Sequence, residues 1–169
     1  ARIELADGTS LDATYEQVED SGIAKLSIAG TVPQGNATLH MHYDAPFNEA
    51  LEGLYRVKDG ELNYAFTQFE ATSARLAFPG FDEPNFKVTF DVTMTVRNEH
   101  LAFGNTPVSS EEDLGNGMKK ITFARTKPLP TYLMAFAVGD FDVVEWEAIP
   151  ANSIRKVAIP LRGIATKGK

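Results

Sequence analysis

Apolar and polar side chains alternate with a period of two along most of this chain, the spacing of strands with one buried face. Ala37, Leu39, Met41 and Tyr43 interleave with Asn36, Thr38, His40 and His42. A longer run sets Phe86, Val88, Phe90, Val92, Met94 and Val96 against Lys87, Thr89, Asp91, Thr93, Thr95 and Arg97, which predicts one long strand with a wet side. Between these runs, residues 54–66 carry Asp59-Gly60, a turn pair suited to a tight hairpin because glycine tolerates positive φ. The hairpin places Leu62, Tyr64 and Phe66 on one face of its returning strand. Further strands are predicted over 101–106 and 117–125, with a polar loop over 109–116, and over 141–147 and 154–161. The apolar run 132–138 lacks alternation and reads as a strand buried on both faces. One short helix is predicted near 72–78, capped by Thr72 or Ser73 and limited by Pro79; Gly80 and Pro84 then fix a loop. Many short strands with almost no helical periodicity indicate an all-β fold, an antiparallel β-sandwich. The sandwich is expected over 1–162, with 163–169 leading toward a second domain.

Composition narrows the function classes. At 169 residues, 43% of them hydrophobic, the chain has the size and content of one globular domain. Its 23 acidic and 16 basic residues give a net charge of -7, which argues against a nucleic-acid partner. The absence of cysteine excludes disulfides, thiolate metal ligands and a cysteine nucleophile. No apolar run reaches the roughly 20 residues of a membrane-spanning helix, and the first residues lack the layout of a signal peptide. Acidic pI without cysteine suits a bacterial cytoplasmic or periplasmic setting without identifying one. Asn36-Ala-Thr38 fits a glycosylation triplet, a pattern frequent by chance. Trp146 and the 11 phenylalanines fall at strand spacing and are predicted to be core.

Candidate chemistry centres on 67–90. Gln68 and Glu70 are two residues apart, so on extended backbone they share a face, and a carboxylate held that way can grip a cation. The same spacing describes an ordinary exposed edge strand. Asp82 and Glu83 are adjacent and point to opposite faces, a poor acid/base pair. They read as structural, satisfying loop amides or pairing with Arg75 or Lys87. His40 and His42 share a face but fall short of the three protein ligands that zinc needs, and His100 has no partner in sequence. No His-Glu-x-x-His occurs in the chain. No catalytic residue and no metal ligand is assigned.

Read as Thr67-Gln-x-Glu70, then Ala74-Arg75, then Phe78-Pro79-x-Phe81-Asp82-Glu83-Pro84, then Phe86-Lys87-x-x-Phe90, this window resembles the signature of the aminopeptidase N type of zinc metallopeptidase, the gluzincin aminopeptidases. Residues 131–141 resemble the family's next landmark, in the expected order. The resemblance implies an N-terminal β-sandwich domain that comes before a helical catalytic domain holding the zinc. It implies that Gln68 and Glu70 face the cleft, where Glu70 binds the free α-ammonium of a peptide substrate and Gln68 helps shape the pocket for its first side chain. Arg75, Pro79, Asp82, Glu83, Pro84 and Lys87 would then be the structural part of the motif. Gly80 stands where the family usually has cysteine. On this resemblance the chain is expected to lack the sandwich's first strands and the catalytic domain, to be inactive alone, and to have its catalytic domain as a partner in cis. A free-standing β-sandwich that binds protein or glycan is the alternative.

Overall fold

The computed structural model describes residues 1–169 and is almost entirely antiparallel β. Strands β1 (Arg2–Leu5), β2 (Ser10–Gln17), β3 (Ala24–Ile28) and β4 (Ala37–His40) form a sheet in the order β3-β2-β1-β4. A second four-stranded sheet combines β5 (Gly53–Asp59), β6 (Leu62–Gln68), β8 (Leu101–Phe103) and β11 (Ala137–Gly139), ordered β5-β6-β11-β8. Strands β7 (Thr93–Arg97), β9 (Val108–Gly115) and β10 (Met118–Phe123) make a third sheet, ordered β7-β10-β9. Finally β12 (Phe141–Ile149) and β13 (Ile159–Thr166) form a two-stranded ribbon.

The β5–β6 hairpin folds as its sequence dictates: Asp59 pairs with Leu62, and Gly60 turns the chain at φ +61°. The core has two connected parts. Phe69, Ala74, Ala77 and Met134 form one, and Val96, Ala102, Ile121 and Phe123 the other, with Val92 packed against both. Tyr64 and Phe66 on β6 instead meet Phe141 of the ribbon, at ring separations of 5.1 and 5.8 Å. The Tyr64 hydroxyl donates to the Asp140 carbonyl and accepts from the Lys167 amide, which binds the ribbon's two ends to β6.

Several expectations are corrected. The long strand over 86–97 is regular only at Thr93–Arg97. Upstream, Val88 bridges Leu129 and Phe90 bonds Thr126, but Pro128 and Pro130 on the facing segment have no N–H to continue a ladder. The polar stretch 109–116 is not a loop: through Gly115 it lies in β9, a strand exposed throughout. It is polar because both faces and one edge meet water, and Glu111 and Glu112 ion-pair with Lys119 and Lys120 of β10. The run 132–138 is broken, because Pro130 initiates a 3₁₀ turn at Thr131–Leu133 before β11 begins. Strand 154–161 starts late, at Ile159, since the Asn152 carboxamide caps a turn through the amides of Ile154 and Arg155. The strand continues to Thr166, within the stretch expected to lead out of the domain. The alternation at 36–43 yields a strand at Ala37–His40 only. Trp146 is not core but 70% exposed, and Phe81 is 80% exposed. The short helix is a single 3₁₀ turn, Ser73–Leu76, and Thr72 at its N-cap makes no side-chain capping bond.

Only 18 of the 169 residues are buried. The accessible surface is 11936 Å², about 3,700 Å² beyond the ~8,200 Å² of a compact monomer of this mass. Exposed apolar side chains recur along the chain, among them Val144, Trp146, Ile154 and Val157 on the ribbon and its connecting loop.

Candidate functional site

Strand β6 delivers the site. The strand ends at Gln68, and just beyond it Phe69 is buried almost completely in the first core cluster while Gln68 and Glu70, on either side, are exposed, Glu70 already in a turn. The Gln68 side-chain carbonyl accepts a hydrogen bond from the Glu70 amide at 3.2 Å, so the two residues are locally linked. The Glu70 carboxylate has no ion-pair or hydrogen-bond partner in the protein. The peptide joining Glu70 to Ala71 is cis.

Both sides of this turn are anchored. The Ser73 amide donates to the Phe69 carbonyl at 2.9 Å, closing residues 69–73 into a loop around Glu70. The Ser73 hydroxyl donates to the Glu52 carboxylate at 2.6 Å. Glu52 immediately precedes β5, whose first residue Gly53 pairs with Gln68. Gly53 has φ +67°, and a Cβ there would lie 2.9 Å from that of Leu76, so only glycine lets β5 approach the 3₁₀ turn this closely.

Downstream, Asp82 is 5% exposed and accepts three hydrogen bonds from Arg75: from the backbone amide at 3.1 Å, from Nε at 2.8 Å and from Nη2 at 2.6 Å. The bond to Asp82 raises the pKa of the Arg75 guanidinium and keeps it charged. Its Nη1 donates to the Ser21 carbonyl at 3.1 Å, linking the β2–β3 turn to the same loop. Glu83 and Lys87 are exposed, and neither forms an ion pair; Pro79 and Pro84 are exposed in the loop. Asp82 and Glu83 therefore diverge, one into the protein and one into water. Ser73 and Glu52 belong to the arrangement and were not anticipated; 21 residues apart, they share no sequence pattern, and the only local signal was Gly53 in a run of polar and apolar residues.

His40 contacts Glu4 at 3.1 Å, and His42 is exposed. No group of three or more potential ligands converges anywhere in the chain. The arrangement around Glu70 is chemically simple: an unpaired carboxylate on a pinned turn, suited to receiving a cation and lacking a partner for proton transfer.

Residues 4–133 match the family described as Peptidase M1 N-terminal domain. The chain is 37% identical over 141 residues to Aminopeptidase M1-D of Oryza sativa subsp. japonica, an alignment covering 81% of the chain and 16% of that relative. It is 34% identical over 157 residues to the puromycin-sensitive aminopeptidase of Caenorhabditis elegans, covering 89% and 16%. With Aminopeptidase N of Acetobacter pasteurianus it shares 36% over 141 residues, covering 80% and 40%. The chain thus spans a small N-terminal share of the plant and nematode relatives, and less than half of the bacterial one. By its match over 4–133, the chain belongs to the Peptidase M1 N-terminal domain family.

Proposed function

We propose that this chain is the substrate-anchoring domain of a zinc-dependent aminopeptidase that removes N-terminal residues from peptides, with Glu70 receiving the free α-ammonium and Gln68 shaping the adjacent pocket. The observation that carries the reading is the unpartnered Glu70 carboxylate on a turn fixed on both sides. A charge-assisted bond between ammonium and carboxylate is one of the stronger polar contacts, and it acts as a ruler. Only a chain with a free N-terminus satisfies it, so the first peptide bond falls at a fixed distance. Glu70 confers exopeptidase specificity and moves no proton in the reaction.

The residues of this chain do not fit a zinc site, since His40 has only Glu4 beside it and no third ligand approaches. Any zinc in the parent enzyme belongs to another part of the polypeptide, and the isolated chain is expected to be inactive. The exposed apolar ribbon suits contact with that remainder in cis. It also favours a second reading, a β-sandwich module that binds protein or glycan independently. Stoichiometric zinc in the full-length protein supports the first reading, and its absence supports the second.

In the full-length protein, Glu70→Ala is expected to raise KM for an aminoacyl substrate about 10- to 100-fold, the loss of one hydrogen bond to a charged group. Zinc content stays unchanged. An unaltered KM removes Glu70 from the site.

A further inference from the structure

We propose that Glu52 and Ser73 are positioning residues for Glu70: their hydrogen bond holds the Glu70 turn at the height where it meets the substrate amine. This inference rests on the amine-anchoring role of Glu70 and extends it to two residues outside the motif.

Three observations converge. First, the turn carrying Glu70 is short and closed by a single backbone bond, Ser73 amide to Phe69 carbonyl, so its orientation depends on what fixes Ser73. Second, Ser73 is 7% exposed and its hydroxyl makes the 2.6 Å bond to Glu52. Third, Glu52 adjoins the one residue of β5 that pairs with Gln68, so the carboxylate ties the turn to the same strand pair that aims Gln68. Glu52, Gln68 and Ser73 thus form a brace across the start of β5, the end of β6 and the entry to the 3₁₀ turn. Arg75 and Asp82 fix the far end of that turn independently.

The mechanical consequence is specific. Removing the Ser73–Glu52 bond leaves Phe69 seated in the core and Asp82 on Arg75, but frees residues 70–72 to swing about the Phe69 carbonyl. The fold survives while Glu70 loses its aim. Substrate capture is therefore weakened more than turnover of substrate already bound.

The test is a double-mutant cycle in the full-length protein, read with an unblocked aminoacyl substrate. Ser73→Ala and Glu52→Ala, each of which removes one partner of the bond, are expected to raise KM about fivefold with kcat changed less than twofold, a coupling of the size seen within one hydrogen-bond network. In a Glu70→Ala background the same substitutions are expected to leave KM where Glu70→Ala alone put it. Equal increases in both backgrounds, a fall in kcat alone, or no change overturns the positioning role. If Ser73→Ala fails to fold, Glu52→Ala, which alters an exposed side chain, carries the test. Glu70→Ala with a normal KM refutes the amine-anchoring reading itself, a result distinct from a failed cycle.

Discussion

Replacing Gly139 by alanine tests how tightly the ribbon is seated on the sheet. Gly139 ends β11 without a left-handed φ, so alanine suits its backbone and the cost is purely steric. A Cβ placed there overlaps Cδ1 of Tyr64 and lies 3.0 Å from Cε1 and 3.2 Å from Cγ. The ring has nowhere to retreat: Tyr64 is 1% exposed, and its hydroxyl bonds both the Asp140 carbonyl and the Lys167 amide. Overpacking of this kind costs about 1–3 kcal/mol, and displacing the hydroxyl forfeits two hydrogen bonds at about 1 kcal/mol each. We expect Gly139→Ala to destabilise the protein by about 3–5 kcal/mol, a fall in Tm on the order of 8–14 °C at this chain length. Gly163 serves as control, since its Cβ would meet nothing closer than 4.0 Å. Gly163→Ala should be neutral or stabilising by about 0.5 kcal/mol. Urea unfolding of both variants, with unchanged m values, checks the difference. Gly139→Ala within about 0.5 kcal/mol of Gly163→Ala would refute the seating of Tyr64 described above.

Two further outcomes follow from the charged groups. Asp82→Asn keeps the shape but removes the charge facing a three-quarters-buried Arg75, and should cost about 2–4 kcal/mol by denaturant unfolding; a loss below about 0.5 kcal/mol would show the pair to be dispensable. The Asp142 carboxyl is held below the ordinary aspartate range, first by the Gly168 amide and then by Lys167. Because its folded-state pKa is depressed, its contribution is present above the unfolded pKa and lost as pH falls through the lowered value. A carbon-detected NMR titration should find Asp142 titrating below a denatured reference, with Gly168 amide exchange accelerating as it protonates. Titration at or above the reference would contradict the contact.

Where local chemistry decides the backbone, the sequence was readable. Asp59-Gly60 gave its hairpin, and period-two alternation located β10 and much of β12. The alternation at 86–92 misled because the facing segment holds Pro128 and Pro130, and a ladder depends on both strands while periodicity reports one. Strand β9 reads as a loop in sequence for the converse reason: Ser109 to Asp113 have no apolar face, and the pairing of Glu112 and Asp113 with Lys120 and Lys119 is non-local. At the site, spacing singles out Gln68 and Glu70 but not the strand end between them, since β6 stops at Gln68 and Glu70 follows in the turn; Arg75 and Asp82 are close enough in sequence for their pairing to be expected. The Ser73–Glu52 bond was not visible, since Gly53 must first bring β5 against the 3₁₀ turn before the two side chains meet.

The open surface of this chain has a thermodynamic consequence. Heat capacity and denaturant sensitivity both scale with the area that unfolding exposes. A fold that already leaves about 3,700 Å² more in water than a compact domain of its mass has less left to expose. Its stability curve is therefore flatter in temperature, and its response to urea shallower, than chain length alone would suggest. The steepness a compact domain derives from its own core is reduced here by the apolar surface that folding leaves in water at Val144, Trp146 and Val157.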